Sequence, residues 1–218
     1  MESLFDTTDF AFADILDKER PWEAVGKIET YIEKKKKELI DQGFLERGGA
    51  LISKEAKVDP QAKFDGLAIV DAGTEIRDNV LIRGGVIIGK NCTIGHATEV
   101  KHSIIMNDSN ASHFNYVGDS IIGNHVNLGA GTVLANDKTG SKNPEVTLTV
   151  DSQIIHTGYK KFGALIGDKV KIGSNAVTDP GTVIGQNSLI YPLSLIRGTI
   201  GPNKIVKNRS SLEIVIKE

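Results

Sequence analysis

From residue 58 the apolar positions of this chain keep a period of six. Val58, Phe64, Val70, Ile76, Ile82, Ile88, Ile94 and Val100 recur at every sixth place. Four places after each stands a small or β-branched residue: Ala62, Ala68, Thr74, Val80, Val86, Cys92 and Thr98. The register shortens by one at Ile105 and again at Ile122, with Ala111, Val117, Leu128 and Leu134 between and after them. It resumes at Ile166, Ile172, Thr178, Ile184, Ile190 and Ile196. Helices repeat near 3.6 residues and strands at 2, so a period of six fits neither alone. It fits a solenoid in which each hexapeptide is one short strand and one corner. The aliphatic and the small residue point inward, and Gly, Asn or Asp supplies the corner conformation. Three hexapeptides close one triangular coil. The predicted fold class is an all-β solenoid, a left-handed parallel β-helix, which departs from the usual right-handed crossover.

The N-terminal stretch has a different pattern. Residues 21–42, PWEAVGKIETYIEKKKKELIDQ, place Val25, Ile28, Ile32 and Leu39 on one helical stripe with Tyr31 beside it. Pro21 suits a first turn and Gly43 a stop. A second, short helix is predicted within residues 10–17, FAFADILD. The run Lys34 to Lys37 reads as a solvated helix face. The predicted organisation is a helical segment over 1–50, a β-helix over 51–207 and a tail over 208–218. An excursion over 143–163, NPEVTLTVDSQIIHTGYKKFG, interrupts the β-helix.

Composition narrows the function classes. A net charge of −2 gives no bulk attraction to nucleic acid or to a membrane surface. No apolar run approaches the 18 residues of a membrane span, and MESLFDTTDF lacks the pattern of a signal peptide, so a cytoplasmic protein is expected. The single cysteine excludes an internal disulfide and a cysteine-rich metal site. Cys92 falls on a small inward position and reads as a buried structural thiol.

Stacking converts spacing into geometry. Residues one coil apart lie roughly 4.8 Å from each other. Arg83 and Lys101 then occupy one corner of successive coils, two stacked cations that a phosphate would relieve. His96, His113 and Ala130 form a second column, Glu99 and Tyr116 a third, and His102, Asp119 and Asn136 a fourth. Polar groups able to bind ligands and carry protons are thus concentrated on adjoining coils, the pattern of a site rather than of scattered surface residues.

EVKHS, then ASHFNYVGDSIIGNHVNLGAGT, then ANDKTGSK resemble the acetyltransferase domain of the bifunctional N-acetylglucosamine-1-phosphate uridyltransferase / glucosamine-1-phosphate acetyltransferase family. The resemblance runs without a gap over about residues 82–142 and includes the polar residues. It implies that Arg83 and Lys101 hold a sugar phosphate or the diphosphate of a nucleotide sugar. It further implies that Tyr116 and Asn127 contact the sugar and its phosphate, and that His113 is the general base. Glu99, next to it, orients the amine. Ala130, Asn136 and Ser174 face acetyl-CoA, Asn136 also belonging to the catalytic group, and Lys142 reaches a neighbouring subunit's site. The implied assembly is a homotrimer with CoA in a groove between subunits, and no metal is expected. The departures are Asn136-Asp137 where the family has Asn-Tyr, a C-terminal part that matches in pattern only, and an excursion closer to the solenoid of archaeal-type sugar-phosphate nucleotidyltransferases. Residues 1–50 are too few for a uridyltransferase domain.

The function expected is acetyl-CoA-dependent N-acetylation of an amino sugar phosphate, glucosamine 1-phosphate first. A non-catalytic trimeric scaffold or sensor that binds nucleotide sugars is the alternative. A metal enzyme like the carbonic anhydrases of this solenoid is disfavoured. Their signature includes two histidines five apart, whereas His96 and His102 are six apart and His113 and His125 twelve.

Overall fold

The computed structural model describes residues 4–142, 144–150, 153–209 and 216. Of the expected tail over 208–218, residues 210–215, 217 and 218 lie outside the described residues, as do 143, 151 and 152 of the excursion.

The chain from residue 50 onward winds into a parallel β-helix with three faces. The first stacks residues 50–52, 68–70, 86–88, 103–105, 121–122, 164–166, 182–184 and 199–200. The second is an eight-stranded sheet running from Lys57–Val58 to Ile205–Val206. The third stacks 63–65, 81–83, 99–101, 116–118, 133–134, 177–178 and 195–196. Strands Leu81–Ile88 and Glu99–Ile105 run through the corner from the third face into the first. The two shortened coils appear where the sequence places them: Ile88 pairs with Ile105, and Ile105 with Ile122.

The six-residue ladder fills the interior. From Val70 to Ile196 its aliphatic members are at most 3% exposed and form one continuous core, while Val58 and Phe64 close its first coil half-buried. The small-residue ladder is buried with it, at most 5% exposed. Cys92 is 1% exposed, its Sγ donates to the Met106 carbonyl at 3.0 Å, and burial pushes the thiol up to about 12. A thiol held protonated in this way is structural.

The first face carries a second core on its outside. Leu51, Ile69, Ile87, Ile104, Ile121, Leu165 and Val183 point outward there, none more than 3% exposed. Strands buried on both faces lose polar alternation, which is why each third hexapeptide has an apolar pair such as Ile87-Ile88 or Ile121-Ile122. The N-terminal segment and the excursion cover this face, through Phe10, Trp22, Ile28 and Ile32 on one side and Val146, Leu148 and Phe162 on the other. The strongly apolar outer face is thus covered by the chain's own segments.

The expected helix over 21–42 is two elements. Pro21–Lys27 is a 3₁₀ stretch with Pro21 at its start, and α1 spans Ile28–Asp41. Val25, Ile28, Ile32 and Leu39 are buried as the stripe requires. Burying Ile28 and Ile32 stabilises the docking by about 1.5–3 kcal/mol each. Gly43, at φ +95°, stops α1, its amide bonding to the Ile40 carbonyl and that of Phe44 to Leu39. Within the FAFADILD stretch Ala13–Ile15 makes a single 3₁₀ turn. Lys35 pairs with Asp14 and Glu38, and Lys36 with Glu46, along the outer helix face. Ahead of α1, Asp168 fastens the first residues: its carboxylate accepts from the amides of Asp6 and Asn124, each at 2.7 Å.

The excursion is wider than the expected 143–163. Asn136 still holds its place above Asp119, and the first face resumes at Ala164. The described residues between 137 and 162 lie outside the coils, pinched at their base by a bridge between Asp137 and Lys161. Thr147–Val150 and Gln153–His156 pair as an antiparallel hairpin within them.

Candidate functional site

The third face and its two corners gather most of the polar residues singled out from the sequence. Arg83 lies beside Lys101, and Glu99 beside Tyr116, in register on adjacent coils. The two cations do not face each other unpaired, as the stacked-cation argument had them. Arg83 Nε donates to Glu99 Oε1 at 2.6 Å, and Lys101 Nζ to Asp119 Oδ2 at 3.1 Å. A carboxylate from the following coil neutralises each cation. The proximity of Glu99 holds the Arg83 guanidinium above its usual range. Glu99, expected to orient an amine, is engaged by Arg83.

Asp119 is the hub of the corner between the third and first faces. Its side chain is 9% exposed and takes Lys101, the Asn136 amide and His102, whose Nδ1 lies 3.6 Å from Oδ1. Burial alone would push this carboxyl up; the nearby His102 ring, the hydrogen bond from Asn136 and the charge of Lys101 outweigh it and hold the group below its usual range. The Tyr116 hydroxyl donates to Asn136 Oδ1 at 3.4 Å, and burial followed by the charges of Glu99 and Asp119 raises that phenol.

His102 and Asp119 hold left-handed backbone, at φ +42° and +46°, in a column where earlier coils have Gly66 and Gly84. The His102 ring lies over Gly84, so close that a Cβ there would stand 2.5 Å from Nε2. Its outer nitrogen, Nε2, is 3.4 Å from Glu29 Oε1 of α1. Gly85 permits this approach, since a Cβ on it would stand 2.8 Å from Ile28 and 2.9 Å from Glu29. A cleft of about 230 Å³ opens here between α1 and the corner, and Glu29, His102, Asp119, Tyr159 and Lys161 are in its lining.

His113 sits at the other end of the face, on the corner leading in from the second. It is exposed and in register with His96, and its backbone amide donates to Asn115 Oδ1 at 3.1 Å. His96 itself is held by Asp78 at 2.5 Å and meets the Phe114 ring edge-on. Ala130 and Ser174 continue the His113 column on the next coils, as the pairing of Leu128 with Ala111 and Ile172 dictates. Asn127 is not brought beside Tyr116. It is exposed on the second face, between Asn110 and Lys171, around the corner that carries His113. Lys142 is exposed in the excursion, and Asn136 is buried. Among the described residues no three histidine, cysteine or acidic side chains converge as metal ligands, and no helix is long and apolar enough to cross a membrane.

Sequence reasoning assigned no role to His102, Asp119, Glu29 or Lys161. For the first two a signal exists: bulky polar residues replace glycine at a left-handed corner on consecutive coils. For Glu29 and Lys161 there is none, because their placement depends on the docking of α1 and the excursion.

Comparison with known proteins places the chain. Residues 47–160, more than half of it, match the family described as the GMPPB C-terminal domain. Residues 163–191 match the hexapeptide repeat of succinyl-transferase. A bifunctional sugar-1-phosphate nucleotidylyltransferase/acetyltransferase of Sulfurisphaera tokodaii is 33% identical over 212 residues, covering 88% of this chain and 50% of that protein. The bifunctional protein GlmU of Methanococcus aeolicus is 31% identical over 181 residues, covering 75% of this chain and 43% of that protein. The chain therefore spans about half the length of these curated relatives or less. Among solved structures, a putative acetyltransferase from Bacillus cereus is similar at 19% identity and a TM-score of 0.45, covering 73% of this chain and 78% of that one. By its repeat, its polar columns and this match, the chain belongs to the GMPPB C-terminal domain family and is homologous to the GlmU-type bifunctional proteins.

Proposed function

We propose that the chain is an acetyl-CoA-dependent N-acetyltransferase whose acceptor is an amino sugar phosphate, glucosamine 1-phosphate first. One observation carries the reading: Arg83, Glu99, Lys101 and Tyr116 stand side by side on the third face, and their identities are those of the glucosamine-1-phosphate acetyltransferases that this stretch resembles. A relative 33% identical to the chain is named a nucleotidylyltransferase/acetyltransferase.

The paired cations suit an exchange of anions. A phosphate dianion displaces Glu99 from Arg83 and Asp119 from Lys101, and the freed Glu99 turns to the acceptor amine. Tyr116 lies along the sugar. The amine nitrogen attacks the thioester carbonyl, the new C–N bond forms as the C–S bond breaks, and the CoA thiolate leaves and is protonated. An imidazole suits the proton transfer at neutral pH, and His113 takes the amine proton. The corner at Ala130, between Gly129 and Gly131, lets backbone approach the thioester oxygen closely, where an amide stabilises the developing oxyanion. With both substrates held in line, proximity supplies most of the remaining rate. Phe114 and Leu193 are exposed at the corner that carries His113, at 59% and 66%. They favour a neighbouring subunit there, in a homotrimer whose CoA groove lies between subunits and receives Lys142 from the next one.

The test is an acceptor screen with acetyl-CoA that detects released thiol. Turnover with glucosamine 1-phosphate, and none with the free sugar, is the expected result; no thiol release with any amino sugar phosphate or nucleotide sugar rejects the reading. The internal neutralisation of both cations, with Asp137 in place of the family's tyrosine, favours a second reading, a nucleotide-sugar-binding scaffold. Calorimetry decides between them, since a scaffold has no need to bind CoA.

A further inference from the structure

We propose that His102 is a positioning residue that couples capture of the acceptor's phosphate by Lys101 to the uptake of a proton at the Asp119 corner. The inference rests on the sugar-phosphate reading above and extends it to a residue to which the resemblance gives no role and to a helix outside the resembling stretch.

Lys101 cannot serve the phosphate and Asp119 equally. When its ammonium turns outward to a dianion, Asp119 loses its cation. At 9% side-chain exposure water compensates that carboxylate poorly, and an uncompensated buried charge is costly. The Asn136 amide remains but carries no charge. The His102 imidazole is already aimed at the other oxygen, Oδ1, at 3.6 Å. As an imidazolium it replaces the departed cation, with the proton drawn from solvent and no covalent step.

The corner is built to hold the ring there. Gly84 beneath it leaves room for an imidazole and none for a Cβ. His102 and Asp119 both keep left-handed backbone, a conformation unfavourable for any residue with a Cβ. Every charged group facing the ring fits the exchange. Asp119 stands on its inner side and Glu29 of α1 on its outer side, at 3.4 Å. Lys101 is its chain neighbour, and Lys161, across the cleft, is itself neutralised by Asp137 at 3.1 Å. The Asp119 carboxylate beside it raises His102 above the usual imidazole range, against burial and the charge of Lys101. Withdrawing Lys101 removes one of the opposing effects and raises the group further.

The sign follows from linkage. A group with a higher pKa in the bound than in the free state takes up protons on binding, so phosphate affinity falls as pH rises through that window. The window lies above the ordinary imidazole value of about 6.5.

The probe is N-acetylglucosamine 1-phosphate, whose amide does not titrate and whose phosphate is mostly dianionic above about pH 7. Calorimetry at about pH 7.5 in buffers of different ionisation enthalpy counts the protons taken up, in a range where imidazoles titrate. The parent protein is expected to take up a measurable fraction of a proton. Its affinity should fall about fivefold or more between about pH 7 and pH 9, the scale of a modest coupling. His102→Gln should bind with no uptake and with a pH-independent affinity near the parent's at the alkaline end. Glu29→Gln, which leaves the corner intact, should keep the uptake and move it to lower pH. Binding by the parent without uptake, or uptake that survives in His102→Gln, overturns the coupling and leaves the sugar-phosphate reading standing. No binding by the parent overturns both. If His102→Gln does not fold, the parent and Glu29→Gln decide alone, an unshifted uptake in the latter counting against the proposal.

Discussion

Gly84→Ala tests the corner at its floor, and a second glycine supplies the control. Gly84 and Gly198 both have φ +67°. A Cβ on Gly198 meets nothing within 4 Å; one on Gly84 would stand 2.5, 2.6 and 2.9 Å from three atoms of the His102 ring. Both substitutions place alanine in left-handed backbone, at about 1–2 kcal/mol. Gly84→Ala must also move the ring. The ring is 36% exposed and swings outward rather than forcing the backbone apart, so the added loss is that of its contacts with Asp119 and Glu29. Partly exposed pairs of this kind contribute about 0.2–1 kcal/mol. Gly198→Ala should therefore cost about 1–2 kcal/mol, and Gly84→Ala up to about 1 kcal/mol more. Urea denaturation with a shared slope measures both. The same pair is then made in a His102→Ala background, where the ring is gone. There the excess at Gly84 should vanish to within the usual additivity error of about 0.3–0.5 kcal/mol. Equal costs for the two glycines in the parent, or an excess that persists without the ring, would refute the account of why this corner has glycine under histidine.

Arg83→Ala should weaken sugar-phosphate binding by about 1.5–3 kcal/mol, the size of a charge-assisted hydrogen bond, with CoA affinity unchanged by calorimetry; equal loss for both ligands would make the residue structural. His113→Ala should leave the melting temperature nearly intact while turnover falls by about 10²–10⁴, the share of a general base; activity that merely follows the folded fraction would remove His113 from the mechanism. Sedimentation at micromolar concentration should give a trimer, and Leu193→Asp, at an exposed corner position, should shift it toward monomer; a monomeric parent protein would reject the assembly.

The period of six determined the solenoid and most of its interior. A coil repeats by translation, so in the coils ahead of the excursion a residue's neighbours above and below are fixed by counting seventeen or eighteen places, and Ile82, Val100 and Val117 stack from arithmetic alone. The same counting put Arg83 over Lys101 and His113 over His96. It also aligned His102 with Asp119, although only the structure, which lays the ring on Gly84, gave that alignment a purpose. Counting does not carry over to segments outside the repeat. The apolar pairs at Ile87-Ile88 and Ile121-Ile122 announced a face buried on both sides but not what would bury it. Only tertiary structure laid α1 and the excursion there, because that docking depends on the shape of two surfaces rather than on any period. It put Glu29 against His102 and engaged each cation with a carboxylate of the next coil. Asn127 likewise came to lie around a corner from Tyr116, since a coil that turns between two residues separates side chains that are near in sequence.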